Sequence, residues 1–162
     1  GGTGSAALVD GPLEVERIVK SVEDPGCGAV VVFLGTVRNH HAGRRVDKLT
    51  YTAYRRMAEE TLLRIVADLE ASSPGLRAAI VHRLGEVPVG EPSVVIAVAS
   101  AHRAAAYEAS RTALERLKAE VPIWKREHYA EGDAAWREEE PLTPHPLAPS
   151  PIAHPSTGRG GT

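Results

Sequence analysis

The 162-residue chain predicts an α+β fold, with helices packed against a mostly antiparallel sheet. Two observations carry this expectation. Extended apolar runs alternate with stretches of helical period in the order α-β-β-α-β-β-α-β. No strand–helix–strand unit repeats, which separates the chain from the parallel, doubly wound folds.

The elements follow in order. Asp10-Gly11-Pro12 opens a short helix whose Val15, Ile18, Val19 and Val22 share one face, and Pro25-Gly26 stops it. Ala29 to Val37 is almost unbroken in β-branched and aromatic residues and reads as a buried strand. The polar stretch Asn39 to Arg45, with Gly43 inside it, reads as a loop. Val46 to Tyr54 alternates between two faces, as a strand does. From Arg56 the period turns helical, with Ala58, Leu62, Ile65, Val66 and Leu69 as the stripe and Ser73-Pro74-Gly75 as the stop. Leu76 to Leu84 is a strand, Pro88 to Pro92 a turn, and Ser93 to Ser100 a second buried strand. A third helix turns Tyr107, Leu114, Leu117 and Val121 inward; Pro122 breaks it, and Ile123 to Tyr129 is extended.

Three segments result: an N-terminal extension over 1–12, one folded domain over 13–137, and a proline-rich flexible tail over 138–162. Gly1 to Ala7 has neither the basic flank nor the apolar stretch of a signal peptide and, lacking an initiating methionine, reads as a trimmed end. Six of the twelve prolines lie between Pro141 and Pro155 with few large apolar residues among them. Such a segment buries too little surface to offset its ordering entropy.

Composition excludes several classes. A net charge of -2 and a pI near 6.4 argue against a nucleic-acid binder, which is usually strongly basic. No apolar run approaches the roughly 18 residues of a membrane span. One cysteine, Cys27, excludes an internal disulfide and a cysteine-based zinc site. The histidines show no metal-ligand spacing, so no metal is expected. The cytoplasm is the expected location.

Three basic clusters remain as candidates for chemistry. Arg38 directly follows the first strand, with His40, His41, Arg44 and Arg45 in the loop after it; the last four read as solvated residues. Ser100-Ala101-His102-Arg103 stands where a buried strand turns into a helix, either a simple cap or a place for an anion among unpaired amides. Lys118 and Lys125 flank Pro122 and Trp124 in a chain with four lysines against fifteen arginines. Where charge alone is wanted this chain uses arginine, whereas a lysine offers an amine whose proton affinity responds to its surroundings. Lys118, at the border of its helix's buried face, reads first as a snorkelling surface lysine. His82, with Ile80 and Leu84 on its strand face, reads as a satisfied core histidine.

GAVVVFLGTVRNH (28–40), LTYTAY (49–54), IVHRLGEVPVGEPSVVIAVASAHR (80–103) and LKAEVPIWKRE (117–127) together resemble the catalytic, large subunit of the molybdopterin synthase family. The likeness spans roughly Leu13 to Trp136. It implies an α/β hammerhead-type fold and a homodimer within a heterotetramer. It also implies a small ubiquitin-like sulfur carrier as partner, whose C-terminal Gly-Gly thiocarboxylate delivers two sulfurs to cyclic pyranopterin monophosphate. No cofactor is implied. Lys118 matches the family's essential lysine and Lys125 its second pocket lysine, which makes both catalytic. The resemblance implies a substrate site of Val37, Arg38, His102, Arg103, Lys118, Lys125, Arg126 and Glu127. Arg38 would meet His102 and Arg103 through adjacent strands, or through a neighbouring subunit. One departure is Thr52, where the family usually has glutamate. The Gly-rich end, Gly158 to Thr162, is close in character to the carrier's own tail; it reads first as an end without a role, with occupation of the carrier channel as the alternative.

Overall fold

The computed structural model describes residues 4–130 and 140–142. Nine strands and three helices form among these residues: β1 (Ser5–Val9), α1 (Val15–Val22), β2 (Ala29–Thr36), β3 (His40–His41), β4 (Arg44–Ala53), α2 (Arg55–Ser72), β5 (Arg77–Arg83), β6 (Gly85–Pro88), β7 (Pro92–Ser100), α3 (Arg103–Glu120), β8 (Ile123–Tyr129) and β9 (Glu140–Pro141). The α+β class expected from the sequence is the class observed.

The strands divide between two sheets. In the first, the order is β1-β5-β7-β2, with β1 parallel to β5 and the other pairs antiparallel. The second places β4 against β8 on one side and against β3 and β6 on the other, with β9 beyond β8. The sequence ends a strand at Leu84 and does not anticipate β6; β5 ends at Arg83, and Gly85, at φ +87°, turns the chain into the second sheet. That backbone region is open to glycine and strained for a residue with a Cβ.

Two helices pack on one face of the first sheet and one on the other. Leu62, Ile65 and Val66 of α2 and Ala113 and Leu117 of α3 join Ile80, Ile96 and Val98 in the main core. Truncating a fully buried leucine such as Leu62 to alanine costs about 2–5 kcal/mol. On the opposite face α1 rests Val22 against Ala79, Ala97 and Ala99, with Ile18 and Val19 partly buried beside it. Small side chains on the sheet allow the short helix to approach closely.

Three expectations need correction. β2 is not buried on both faces: it is an edge strand whose Val30, Val32 and Leu34 are exposed at 38–42% while their neighbours turn inward. A run of β-branched residues reports strand propensity, not burial of both faces. The polar loop at 39–45 is a hairpin, with His41 paired to Arg44. Ala42 (φ 53°) and Gly43 (φ 77°) form its turn, both in the conformation that matches the twist of a two-residue hairpin. The segment expected as an N-terminal extension contains β1, which buries Leu8 in the main core.

The proline-rich segment also departs from expectation where it is described. Residues 140–141 add a strand to the free edge of β8, and the Leu142 amide donates to the Ile123 carbonyl at 2.9 Å. The Gly158–Thr162 end lies outside the described residues.

Candidate active site

A cavity of about 340 Å3 opens where the second sheet meets α3 and the end of β2. Its walls combine Phe33, Gly35, Val37 and Arg38 from the β2 side, Leu49 and Tyr51 from β4, Leu114, Leu117 and Lys118 from α3, and Lys125 and Glu127 from β8. Alternation along β8 decides which of its residues enter. Ile123, Lys125, Glu127 and Tyr129 share the inner face, whereas Trp124, Arg126 and His128 fall on the outer one. There the ring of His128 meets Thr50, Nε2 to Oγ1 at 2.7 Å. Burial, followed by the nearby Lys48 charge, holds that histidine's pKa below its ordinary value.

Of the substrate residues expected from the sequence, Val37, Arg38, Lys118, Lys125 and Glu127 line this cavity. Arg126 does not, because it belongs to the outer face. His102 and Arg103 do not either. β2 and β7 are neighbours, as expected, but they run antiparallel, with Ala29 opposite Ser100. Arg38 therefore follows one end of β2 while His102 and Arg103 stand at the other, where the Gly28 amide donates to the Ala101 carbonyl at 3.2 Å. The eight residues of β2 separate the two ends by about 26 Å. Adjacent strands do not bring these side chains together within one chain.

The electrostatics of the cavity are uneven. The side chains of Arg38, Lys118 and Lys125 make no ion pair or hydrogen bond among the described residues. Lys118 is in the last turn of α3, where the unpaired carbonyls of the helix end favour a cation. Glu127 is the one acidic side chain among the residues lining the cavity, and it is only 6% exposed. Tyr129 OH donates to its Oε1 at 2.9 Å, and His41 Nδ1 lies 3.2 Å from its Oε2. The Arg44 guanidinium stacks 4.0 Å above the Tyr129 ring.

The floor of the cavity is neutral and hydrogen-bonded. Tyr51 OH donates to Ser93 Oγ at 3.3 Å, which in turn donates to the Gly35 carbonyl at 3.2 Å. Burial raises the pKa of Tyr51 and lowers that of His82 to about 4. The His82 ring meets Tyr51 edge-on at 4.9 Å, and its Nδ1 donates to the Arg83 carbonyl at 2.8 Å. His82 is thus the core histidine that the sequence suggested, and its neutral ring also faces the cavity. Sequence reasoning assigned no role to His41 or Leu142, both of which line the cavity. For His41 the available signal was Ala42-Gly43, a turn that folds the residues before it back onto β4.

Thr52 pairs with Trp124 and belongs to a shallow surface hollow with Ala53 and Tyr54, away from the cavity. Glutamate at this position would stand on the outer face of the sheet.

An α+β fold with unpaired cations gathered at a small cavity defines a class, an enzyme that handles a small anionic molecule. A family profile described as MoaE protein matches residues 8–120. The molybdopterin synthase catalytic subunit of Bacillus subtilis is 48% identical over 75% of this chain and 78% of its own length. Catalytic subunit 1 of Mycobacterium tuberculosis is 42% identical over 83% of this chain and 90% of its own. The corresponding bovine subunit is 47% identical, with 77% of this chain matched to 66% of that protein. The crystal structure of molybdopterin synthase from Staphylococcus aureus superposes with a TM-score of 0.74 at 38% identity, covering 82% of this chain and 93% of that one. The chain belongs to the MoaE protein family.

Proposed function

We propose that this chain is a molybdopterin synthase catalytic subunit, which transfers two sulfurs from the thiocarboxylated C-terminus of a small ubiquitin-like carrier to cyclic pyranopterin monophosphate. The observation that carries the reading is the set of unpaired cations, Arg38, Lys118 and Lys125, at one cavity. The reaction brings together two anions, the substrate's phosphate and the carrier's thiocarboxylate. Fixed positive charge offsets their repulsion and stabilises charge that develops as sulfur attacks. Lys118 and Lys125 are the catalytic amines. Lys118 either exchanges a proton with the reacting groups or takes the carrier's acyl group in passing, and trapping of an amide between Lys118 and the carrier distinguishes these routes.

Substrate binding draws on Val37, Arg38 and Glu127 in the same cavity, and on His102 and Arg103 from a second copy. The exposed edge of β2, with Val30, Val32 and Leu34 beside it, suits antiparallel pairing with the same edge of another chain. A two-fold axis across that edge carries the start of one β2 to the end of the other. Arg38 then meets the partner's His102 and the partner's Arg103, and the phosphate lies between them at the opening of α3, whose first amides lack a side-chain cap. Arg126, on the outer face of β8, does not line the cavity.

The carrier's extended tail enters between β8 and α3. The protein works in the cytoplasm; among the described residues no helix is long and apolar enough to cross a membrane. The test is reconstitution: purified protein, thiocarboxylated carrier and cyclic precursor are mixed, and molybdopterin is measured. Formation dependent on all three is the expected result. Carrier binding with no molybdopterin formed would leave a non-catalytic adaptor and sink the reading.

A further inference from the structure

We propose that His41 is a positioning residue for this reaction: from the short strand of the hairpin it fixes the Glu127 carboxylate in the cavity, and so determines how the pterin end of the substrate is held. The inference rests on the functional reading above and adds a residue to it.

Glu127 is a buried acid at a cavity otherwise edged by cations. Each of its oxygens has one assigned partner, Tyr129 OH on Oε1 and His41 Nδ1 on Oε2. A carboxylate only accepts, so the 3.2 Å contact is favourable when Nδ1 carries a proton. Both partners are tied to the same hairpin: His41 pairs with Arg44 across the turn, and the Arg44 guanidinium covers the Tyr129 ring. The hairpin therefore holds the carboxylate from two sides at once.

A fixed carboxylate has an evident use here. The pyrimidinone ring of a pterin presents two adjacent N–H donors, the ring N–H and the exocyclic amine. A carboxylate whose orientation is set accepts from that edge with the geometry of a paired hydrogen bond. Without His41, Oε2 loses its partner, and the nearest cation on the same strand face is Lys125, two residues back and without a carboxylate of its own. The acid turns toward that amine. The pterin edge loses its acceptor while the phosphate contacts remain.

The test measures binding of the cyclic precursor to the full-length protein, without carrier, for His41→Ala, His41→Asn, Tyr129→Phe, Glu127→Gln and the His41→Ala/Glu127→Gln double variant. His41→Ala should weaken precursor binding about tenfold, the loss of one charge-assisted contact to the carboxylate. In turnover the same change should appear in KM for the precursor, with kcat and carrier affinity near wild type. His41→Asn, whose amide N–H reaches the position of Nδ1, should restore binding, and Tyr129→Phe should reproduce the loss from the other oxygen. In the Glu127→Gln background, His41→Ala should add nothing, because it acts through that carboxylate. Wild-type binding by folded His41→Ala, or additive losses in the double variant, would overturn the proposal alone. Wild-type protein that fails to bind the precursor would overturn the functional reading, and this proposal with it.

Discussion

Cations on the outer surface of α2 and α3 are built differently from those at the cavity. Arg116 reaches Asp68 at 2.8 Å and Glu120 at 2.8 Å, Arg111 pairs with Glu115, and Arg56 with Glu60. The pairing holds the Glu120 carboxyl below its ordinary pKa, through the hydrogen bond from Arg116 first. At the cavity, Arg38, Lys118 and Lys125 have no such partners among the described residues. Paired charges cancel and contribute little at a solvated surface. Unpaired charges at a partly enclosed opening keep their field for an incoming anion. The same residue types are therefore paired in one region and left available to an anion in the other, and the presence or absence of a carboxylate within reach separates them.

The largest effect belongs to Lys118. Lys118→Ala should lower molybdopterin formation by about 10²–10³-fold, the scale for removing one preorganised charge-stabilising group. Unfolding and carrier binding should stay at wild-type values, since the side chain packs against nothing essential. Turnover near wild type in this variant would take Lys118 out of the mechanism.

His82 tests the neutral floor through pH. Its folded pKa is about 4, against about 6.5 when unfolded. Between these values the unfolded chain binds a proton that the folded chain does not, so stability falls as pH drops from 6.5 toward 4. The difference amounts to roughly 3 kcal/mol at the acid end. Compared with wild type, His82→Gln should lose less stability across that window, measured by denaturant unfolding at both pH values. Parallel acid profiles would show that His82 titrates normally in the fold.

Lys125→Ala should be milder than Lys118→Ala, about tenfold in kcat/KM for the precursor, as one lost charged contact gives. Equal losses at both lysines would assign them one shared role. Truncation after Trp136 removes β9 and Leu142 from the edge of β8, so carrier affinity measured by calorimetry should rise a few-fold; unchanged affinity would show that this segment and the carrier do not compete. The smallest effect is expected at the paired surface. Arg116→Ala should cost under about 1 kcal/mol and leave turnover unchanged, and a tenfold loss of activity there would break the distinction between paired and unpaired cations.

Much of this organisation was legible in the sequence. The helical stripe of α2 and the apolar run of β7 appear where their periods place them, because packing follows the face that each period creates. In α3 the buried stripe is Ala106, Ala109, Ala113 and Leu117, while Tyr107, expected inward, is 64% exposed. Lys118, Lys125, Arg38 and Glu127 were identified by resemblance, and the cavity gathers all four. Strand direction and sheet membership were not legible. Local pattern contains no information on whether β2 is central or at an edge. Nor does it say that β7 runs against β2, the single fact that separates Arg38 from His102 and Arg103 in one chain. His41 reads as a solvated loop residue in the sequence because its contact depends on a hairpin turn and on a carboxylate 86 positions away.

The division of the cations between two ends of β2 leads to the most direct test of the shared site. Arg38→Ala and Arg103→Ala are each expected to be inactive, since every cavity in either homodimer lacks one contributor. Unfolded together, refolded and assayed as a mixture with carrier and precursor, they should recover about a quarter of wild-type turnover, because half the dimers are mixed and each of those regains one complete cavity. Activity no greater than the sum of the two separate variants would contradict a site built across the β2 edge.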